Sequence, residues 1–384
     1  MLEELRSEIP ASVVVENGET VLNMGPHHPS SHGVIRLVLT LDGEVIHTVT
    51  PDIGYLHRAI EKIAEKTTYY TFVPFTDRVD YLGAMFMNHG YAMAVEKLAG
   101  IEVPERADYL RVLADELNRI ASHLIFIGSM TMDLGAYTPF VQALREREKI
   151  NDIIEELCGA RLTYNYIRVG GVAFDLTPNL PEKILRFLDG FEVFIEEFDK
   201  LITYNEIFVK RAVNIGIIPA DKAISYGLVG PNLRASGVDY DVRRDAPYSV
   251  YSRLNFDVPV GNDKYGTVGD SFNRFLLRIA ELHQSVRLIR QALKDLPSGP
   301  VMAKVPRKIK VEPGKDAFSR VESARGDTLY YIMAGANNTP HRVRVRTGSF
   351  TAVSVVSEFG RGVMLADLVA IFAGLDIVAP EIDR

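Results

Sequence analysis

The sequence predicts an α+β fold, with a central helix bundle, a small β part before it and a small α/β part after it. Three observations carry that prediction. Strand-like runs with turn signals fill the first 60 or so residues; a helical period of three and four then dominates until about residue 296; alternation returns after Pro300. With 384 residues, 47% of them hydrophobic and 24% charged, the chain can bury a large core and is too apolar to be disordered. The expected parts are 1–60, 61–300 and 301–384, the two end parts docking on the bundle.

The opening is rich in Val, Ile, Leu and Thr. Turn signals at Asn17-Gly18 and Asp42-Gly43 make 34–41 and 44–50 read as a hairpin. In the bundle, Leu110, Leu113, Leu117, Ile120, Leu124 and Ile127 form one apolar stripe, and Gly128 reads as its C-terminal cap. A second stripe, Ile184, Leu188, Phe191, Ile195, Phe198 and Ile202, follows Pro181 as helix opener. A third helix starts at Asp270 as N-cap, carries Phe272, Leu276, Ile279, Val286, Ile289, Leu293 and Leu296, and stops at Pro297 and Gly299. Shorter helices are expected at 91–98, closed by Gly100, and at 140–157. Residues 215–260, dense in Gly, Pro, Tyr and Arg, read as an ordered loop region. Strands follow around Val321, 329–333 and 343–345, then a last apolar segment at 364–375. There is no internal repeat or low-complexity tract.

Composition removes several functions. A net charge of −7 provides no basic field for nucleic acid or anionic lipid. A membrane span needs roughly 18 apolar residues, and the best runs, 124–132 and 368–375, end at Asp133, Asp367 and Asp376. The N-terminus lacks the basic start and apolar stretch of a secretory signal, so the chain is expected in the cytoplasm. The single Cys158 rules out internal disulfides and any iron–sulfur or zinc site needing several thiolates from this chain, and reads as ordinary helix packing. No phosphate loop or dinucleotide fingerprint occurs, and Gly170-Gly171 alone is too weak, so no nicotinamide or flavin site is expected.

Three constellations carry chemistry. His27, His28 and His32 stand in a Gly/Pro loop before a strand, where an imidazole can donate to a ligand oxygen, ligate a metal or simply meet solvent. No cysteine or helical histidine pair supports a metal, and solvation is the plainer reading. Tyr81, in Asp77-Arg78-Val-Asp80-Tyr81, is a phenol before an apolar helix, either a ligand donor or a core tyrosine. Asp133 is a lone carboxylate between two apolar helices; it needs a helix to cap or a partner such as histidine, and capping is the simpler. Arg58, Arg145, Arg147, Arg168, Arg234 and Arg325 read as makers of structural ion pairs.

At Met24-Gly-Pro-His-His-Pro-Ser-Ser-His-Gly33 the sequence resembles the D-type family of NADH-quinone oxidoreductase subunits, the quinone-site subunits of respiratory complex I. The resemblance continues in Gly54-Tyr-Leu-His-Arg58 with Glu61-Lys62, in Asp77-Arg-Val-Asp-Tyr81 and in Glu116-Leu-Asn-Arg-Ile-Ala-Ser-His123. It extends through Asp133-Leu-Gly-Ala-Tyr-Thr-Pro-Phe140, Arg145-Glu-Arg-Glu148 and Asn165-Tyr-Ile-Arg-Val-Gly-Gly171. Leu233-Arg-Ala-Ser-Gly237, Glu322-Ser-Ala-Arg-Gly326 and the final Asp383-Arg384 complete it. The family is in turn similar to nickel–iron hydrogenase large subunits, whose fold it implies; a hydrogenase itself fails on the cysteine count, since its metals need two Cys-x-x-Cys pairs.

The resemblance implies a peripheral-arm subunit on the cytoplasmic face of the inner membrane, without a transmembrane span of its own. It would pack against an iron–sulfur B-type subunit, a C-type subunit and a membrane-arm H-type subunit. His32 and Tyr81 match the pair that holds the quinone head group, Asp133 matches the acidic partner of the histidine, and Arg58 matches an arginine close to the partner's iron–sulfur cluster. No metal would be held by this chain. Reduction of the quinone, with release of Asp133 from His32, would trigger proton pumping. The alternative in another class is a scaffold that only holds the partner's cluster. Departures from the family pattern are Thr163, where many relatives carry a histidine beside the cluster, His27 for a common glutamine, Ala59 for a common glycine, and a short segment at 308–320.

Overall fold

The computed structural model describes residues 13–16, 19–28 and 33–384. Strands β1 (Val13–Glu16), β2 (Glu19–Met24), β3 (Arg36–Asp42) and β4 (Val45–Asp52) form an antiparallel sheet in sequence order. In β3 every second residue, Leu37, Leu39 and Leu41, is buried, as period-two alternation demands of a sheet covered on one face. That face packs with Ile46 and Val49 on Leu368, Ile371 and Phe372 near the end of the chain. The first and last parts of the sequence therefore share one core.

The bundle consists of α1 (Ile60–Lys66), α2 (Ala84–Ala99), α3 (Glu105–Asp133), α4 (Tyr137–Cys158), α5 (Leu180–Phe198) and α6 (Ser271–Lys294). All six residues of the 110–127 stripe and all six of the 184–202 stripe lie in its core. Pro181 stands in the first turn of α5, and the Asp270 carboxylate accepts from the Asn273 N–H at 2.7 Å as the N-cap of α6.

Two expectations need correction. Gly128 does not end a helix: α3 continues to Asp133, and a Cβ on Gly128 would come within 3.1 Å of Phe140 and 3.2 Å of Ala143. It is the point where α3 and α4 approach closely. The helix expected at 91–98 begins at Ala84, because Ala84 through Glu96 are buried on all sides and no polar face marks the period.

Between α5 and α6 run a π-helical turn (Asp199–Thr203) and short helices, including Gly230–Ala235 and Val242–Asp245. After the two-stranded ribbon β5 (Ile167–Arg168) and β6 (Gly171–Val172), the remaining strands β7 (Asp316–Ser323), β8 (Gly326–Ala334) and β9 (Pro340–Arg346) form an antiparallel meander. Helices α7 (Leu365–Gly374) and α8 (Ala379–Asp383) close the chain. No helix among the described residues is long and apolar enough to cross a membrane.

A buried ionic network fastens these layers. Arg234, from the short helix Gly230–Ala235, reaches Glu281 on α6 at 2.5 Å and Glu322 on β7 at 2.8 Å. Arg119 on α3 donates to the carbonyls of Glu322 at 2.6 Å and Ser323 at 3.0 Å, and Glu116 binds Arg119 and Arg243. Fully buried charges are tolerable only when paired in this way. The β7–β8 turn is thereby pinned, and with it the position of Arg325 at its tip.

Candidate functional site

The histidine loop leaves the sheet through a narrow neck. A Cβ on Gly25, which has φ +101°, would lie 2.1 Å from the Ile35 carbonyl oxygen, so only glycine fits there. His27 and His28 are exposed, and His32 lies outside the described residues. The next described residue, Gly33, lies against α8, with a Cβ there 2.9 Å from Ala379. At the base of the loop is a cavity of about 530 Å³, lined by Met24, His28, Leu365 and Val369 among others.

Tyr81 follows the short helix Val73–Thr76 and is half-buried. Its hydroxyl has no hydrogen-bond partner among the described residues. Burial, reinforced by the negative charge of Asp80, raises its pKa, so the phenol keeps its proton and remains a donor.

Beneath Tyr81 lies a cluster that residue spacing does not reveal. Arg325 donates to Asp80 at 2.8 Å and to the Ser122 hydroxyl at 3.1 Å, and lies 3.5 Å from Asp376. Arg278 lies 3.7 Å from Asp376 on the other side and stacks 3.9 Å above the Phe126 ring. Burial opposes the Arg325 charge, but Asp376, Asp80 and Glu381 outweigh it and hold its pKa high. Glu381 is a third acid sharing the same guanidinium; burial and the Asp80 charge outweigh the pull of Arg325 and push it up to about 8, so it carries a proton at neutral pH. Its side chain accepts from the Ser349 hydroxyl. The one sequence signal is an acid inside an apolar run, Val378-Ala-Pro-Glu381-Ile.

The segment carrying Arg58 is tied to the chain's end, where Asp383 accepts from the N–H groups of Gly54 at 2.8 Å and Leu56 at 2.7 Å. Ala59 begins α1 with φ +53°, a left-handed conformation in which glycine is the unstrained residue. Arg58 is exposed and donates to the Arg78 carbonyl at 2.6 Å; Arg78 in turn donates to the Pro74 carbonyl. Pro74 and Arg168 line a cleft of about 480 Å³, so Arg58, Arg78 and Arg168 give this face its positive charge. Thr163 is half-buried in the stretch between α4 and β5, two residues before Asn165, which lines that cleft.

Behind this face Asp77 is buried, 3.7 Å from Arg78. Burial pushes its carboxyl from 3.8 up to about 7. A folded-state pKa above the unfolded one means that stability is full below the unfolded value and is lost as pH rises to the folded value. Asp77→Asn is therefore expected to gain stability over the parent between about pH 4 and 7, by up to about 4 kcal/mol, and no further above that. Denaturant melts of the purified chain across this range check it; a gap independent of pH contradicts it.

Asp133 does not cap a helix N-terminus. It is the last residue of α3, half-buried, and the N-cap of α4 is Ala136, without a side-chain bond. A carboxylate there faces the negative end of the helix dipole, so its charge has to be supported from elsewhere. Eleven residues separate it from Ser122, about 16 Å along the helix at 1.5 Å per residue. Of the arginines read as ion-pair formers, Arg234 and Arg325 are deep in networks, Arg145 meets Glu146 at the surface, and Arg58 and Arg168 face outward.

Among the described residues no group of three or more His, Cys, Asp or Glu side chains is placed to hold a metal ion. Residues 133–315 and 305–384 match the family described as the respiratory-chain NADH dehydrogenase 49 Kd subunit. Over 369 residues the chain is 58% identical to the second of the NADH-quinone oxidoreductase D subunits of Anaeromyxobacter dehalogenans, covering 96% of this chain and 97% of that one. It is 49% identical to the corresponding D subunit of Clostridium beijerinckii over 366 residues, covering 95% and 97%, and 46% identical to that of Desulforamulus reducens over 371 residues, covering 97% and 100%. With its mixed helix and strand fold, the chain belongs to the respiratory-chain NADH dehydrogenase 49 Kd subunit family.

Proposed function

We propose that the chain is the quinone-site subunit of a proton-pumping NADH-quinone oxidoreductase, active only within the complex and peripheral on the cytoplasmic side of the membrane. The observation that carries this reading is Tyr81: a half-buried phenol, kept protonated by burial and Asp80, whose hydroxyl has no partner among the described residues. Such a group is a ready donor to a quinone carbonyl, and its hydrogen bond strengthens as negative charge arrives on that oxygen. His32 would donate to the other carbonyl. The electrons would come from an iron–sulfur cluster in the B-type partner subunit, and the arginine face formed by Arg58, Arg78 and Arg168 suits a neighbour of that kind. Positive charge there favours the reduced, more negative cluster. The C-type and H-type subunits are the other neighbours in this reading.

In the proposed cycle His32 would give up its proton, and Asp133 would lose the imidazolium as its partner. A carboxylate charge no longer balanced by that imidazolium, at the unfavourable end of α3, is the change that would drive the membrane arm. Asp133→Asn keeps the shape and removes the charge. The assembled variant is expected to lose most proton pumping per quinone reduced and to show an altered pH dependence of turnover. Parental turnover at every pH, with parental pumping, would remove Asp133 from the mechanism.

A further inference from the structure

Away from this site, α2, α3 and the loop before the helical turn Tyr251–Arg253 bring together three residues used by nothing above. The Nδ1 of His89 lies 2.6 Å from Asp115 Oδ2, and its Nε2 lies 3.1 Å from the Ser249 hydroxyl. We propose that Ser249, His89 and Asp115 form a nucleophilic acyl-transfer centre, in which Ser249 takes the acyl group from a short ester or thioester.

The geometry supplies the nucleophile, the base and the group that orients the base. The nucleophile and base are within hydrogen-bond reach, and the base is oriented by a carboxylate on its other nitrogen. Asp115 accepts from Nδ1–H, which leaves the Nε2 lone pair directed at the serine proton. His89 and Asp115 are fully buried, so the pair is dry and its orientation fixed, and the Tyr248 ring packs edge-on against the imidazole with centroids 5.4 Å apart. Ser249 is only half-buried and opens into a groove of about 440 Å³. Met93, Ile101 and Val103 give that groove an apolar wall that an acyl chain can lie along, beside a rim where Lys97 and Arg111 alternate with Glu96, Glu102 and Asp108. Ser249 also holds φ +47°, a left-handed conformation costly for a side chain with a Cβ and maintained here by buried Val250 and Tyr251.

A purely structural His–Asp tie between α2 and α3 would need neither the exposed hydroxyl nor the strained turn. Asp108 competes for the serine proton, accepting from Oγ at 3.2 Å. Burial raises its pKa while Arg111, 3.8 Å away, lowers it, and rotation about the Cβ–Oγ bond turns the serine proton from Asp108 to Nε2. In the reaction the Oγ–acyl bond forms as the bond to the leaving alcohol or thiol breaks. The serine proton passes to Nε2 and on to the leaving group. Water, deprotonated by Nε2, then cleaves the acyl-serine to a carboxylic acid and restores the hydroxyl.

An alkyl fluorophosphonate tests this in the assembled oxidoreductase and in the purified full-length chain: attack by Oγ expels fluoride and leaves a stable adduct located by peptide mass spectrometry. The expected result is stoichiometric labelling at Ser249 in at least one preparation, abolished in Ser249→Ala and slowed at least about 100-fold in His89→Gln and Asp115→Asn. An unlabelled Ser249 in both preparations of the parent overturns the proposal, whatever the variants do. Labelling at the parental rate in a folded His89→Gln chain overturns it equally.

Discussion

Replacing Tyr81 by Phe is expected to lower quinone reduction by the assembled enzyme about 10- to 100-fold, while reduction of an artificial acceptor upstream of the quinone keeps its parental rate. The magnitude follows from one hydrogen bond to a developing oxyanion, worth about 1.5–3 kcal/mol in a dry site. The ring remains, so the packing around Asp80 and Arg325 is undisturbed and the loss is confined to the hydroxyl. That hydroxyl spends nothing on the protein itself, having no partner among the described residues. If Tyr81→Phe reduces quinone at the parental rate, the phenol is a core tyrosine with a wet hydroxyl and the assignment fails.

The second large effect is expected at Arg325. This residue is 2% exposed, and its guanidinium holds Asp80 at 2.8 Å and Asp376 at 3.5 Å and interacts with Glu381. Replacement by Leu leaves two buried carboxylates sharing Arg278, which reaches only Asp376. Stranding a buried charge of this kind costs about 3–5 kcal/mol. Denaturant unfolding of the purified chain is expected to show that loss. A double variant, Arg325→Leu with Asp80→Asn, is expected to recover part of it, because the stranded charge is then gone. An Arg325→Leu chain within about 1 kcal/mol of the parent would mean that the cluster is hydrated and that Tyr81 does not sit above a dry, charged floor.

What can be read from the sequence and what cannot follows the range of the interactions. The stripes 110–127 and 184–202 declare their helices because each burying contact recurs within a turn. Ala84 through Glu96 conceal theirs because burial is complete and no polar side marks the period. Gly128 misleads as a stop because a glycine that admits a neighbouring helix looks the same in sequence as one that ends its own. Tyr81 and Arg58 become candidates only through short blocks shared with a family. The floor beneath Tyr81 is not, since Asp80 and Arg325 are 245 positions apart and each reads locally as an ordinary charge. Distance in sequence likewise hides His89 from Ser249, 160 positions on. Thr163 shows the converse: the substitution is plain in the sequence, whereas the cleft lined by its near neighbours Asn165 and Arg168 comes only with the fold.

Irradiating the assembled enzyme with a photoreactive quinone analogue, then mapping the adducts by mass spectrometry, tests most directly whether the quinone meets this chain. The expected adducts fall in this chain, in the loop 25–35 or on peptides containing Tyr81, and are suppressed by excess native quinone. Adducts confined to other subunits would contradict the claim and leave the chain as a scaffold for its partner's cluster.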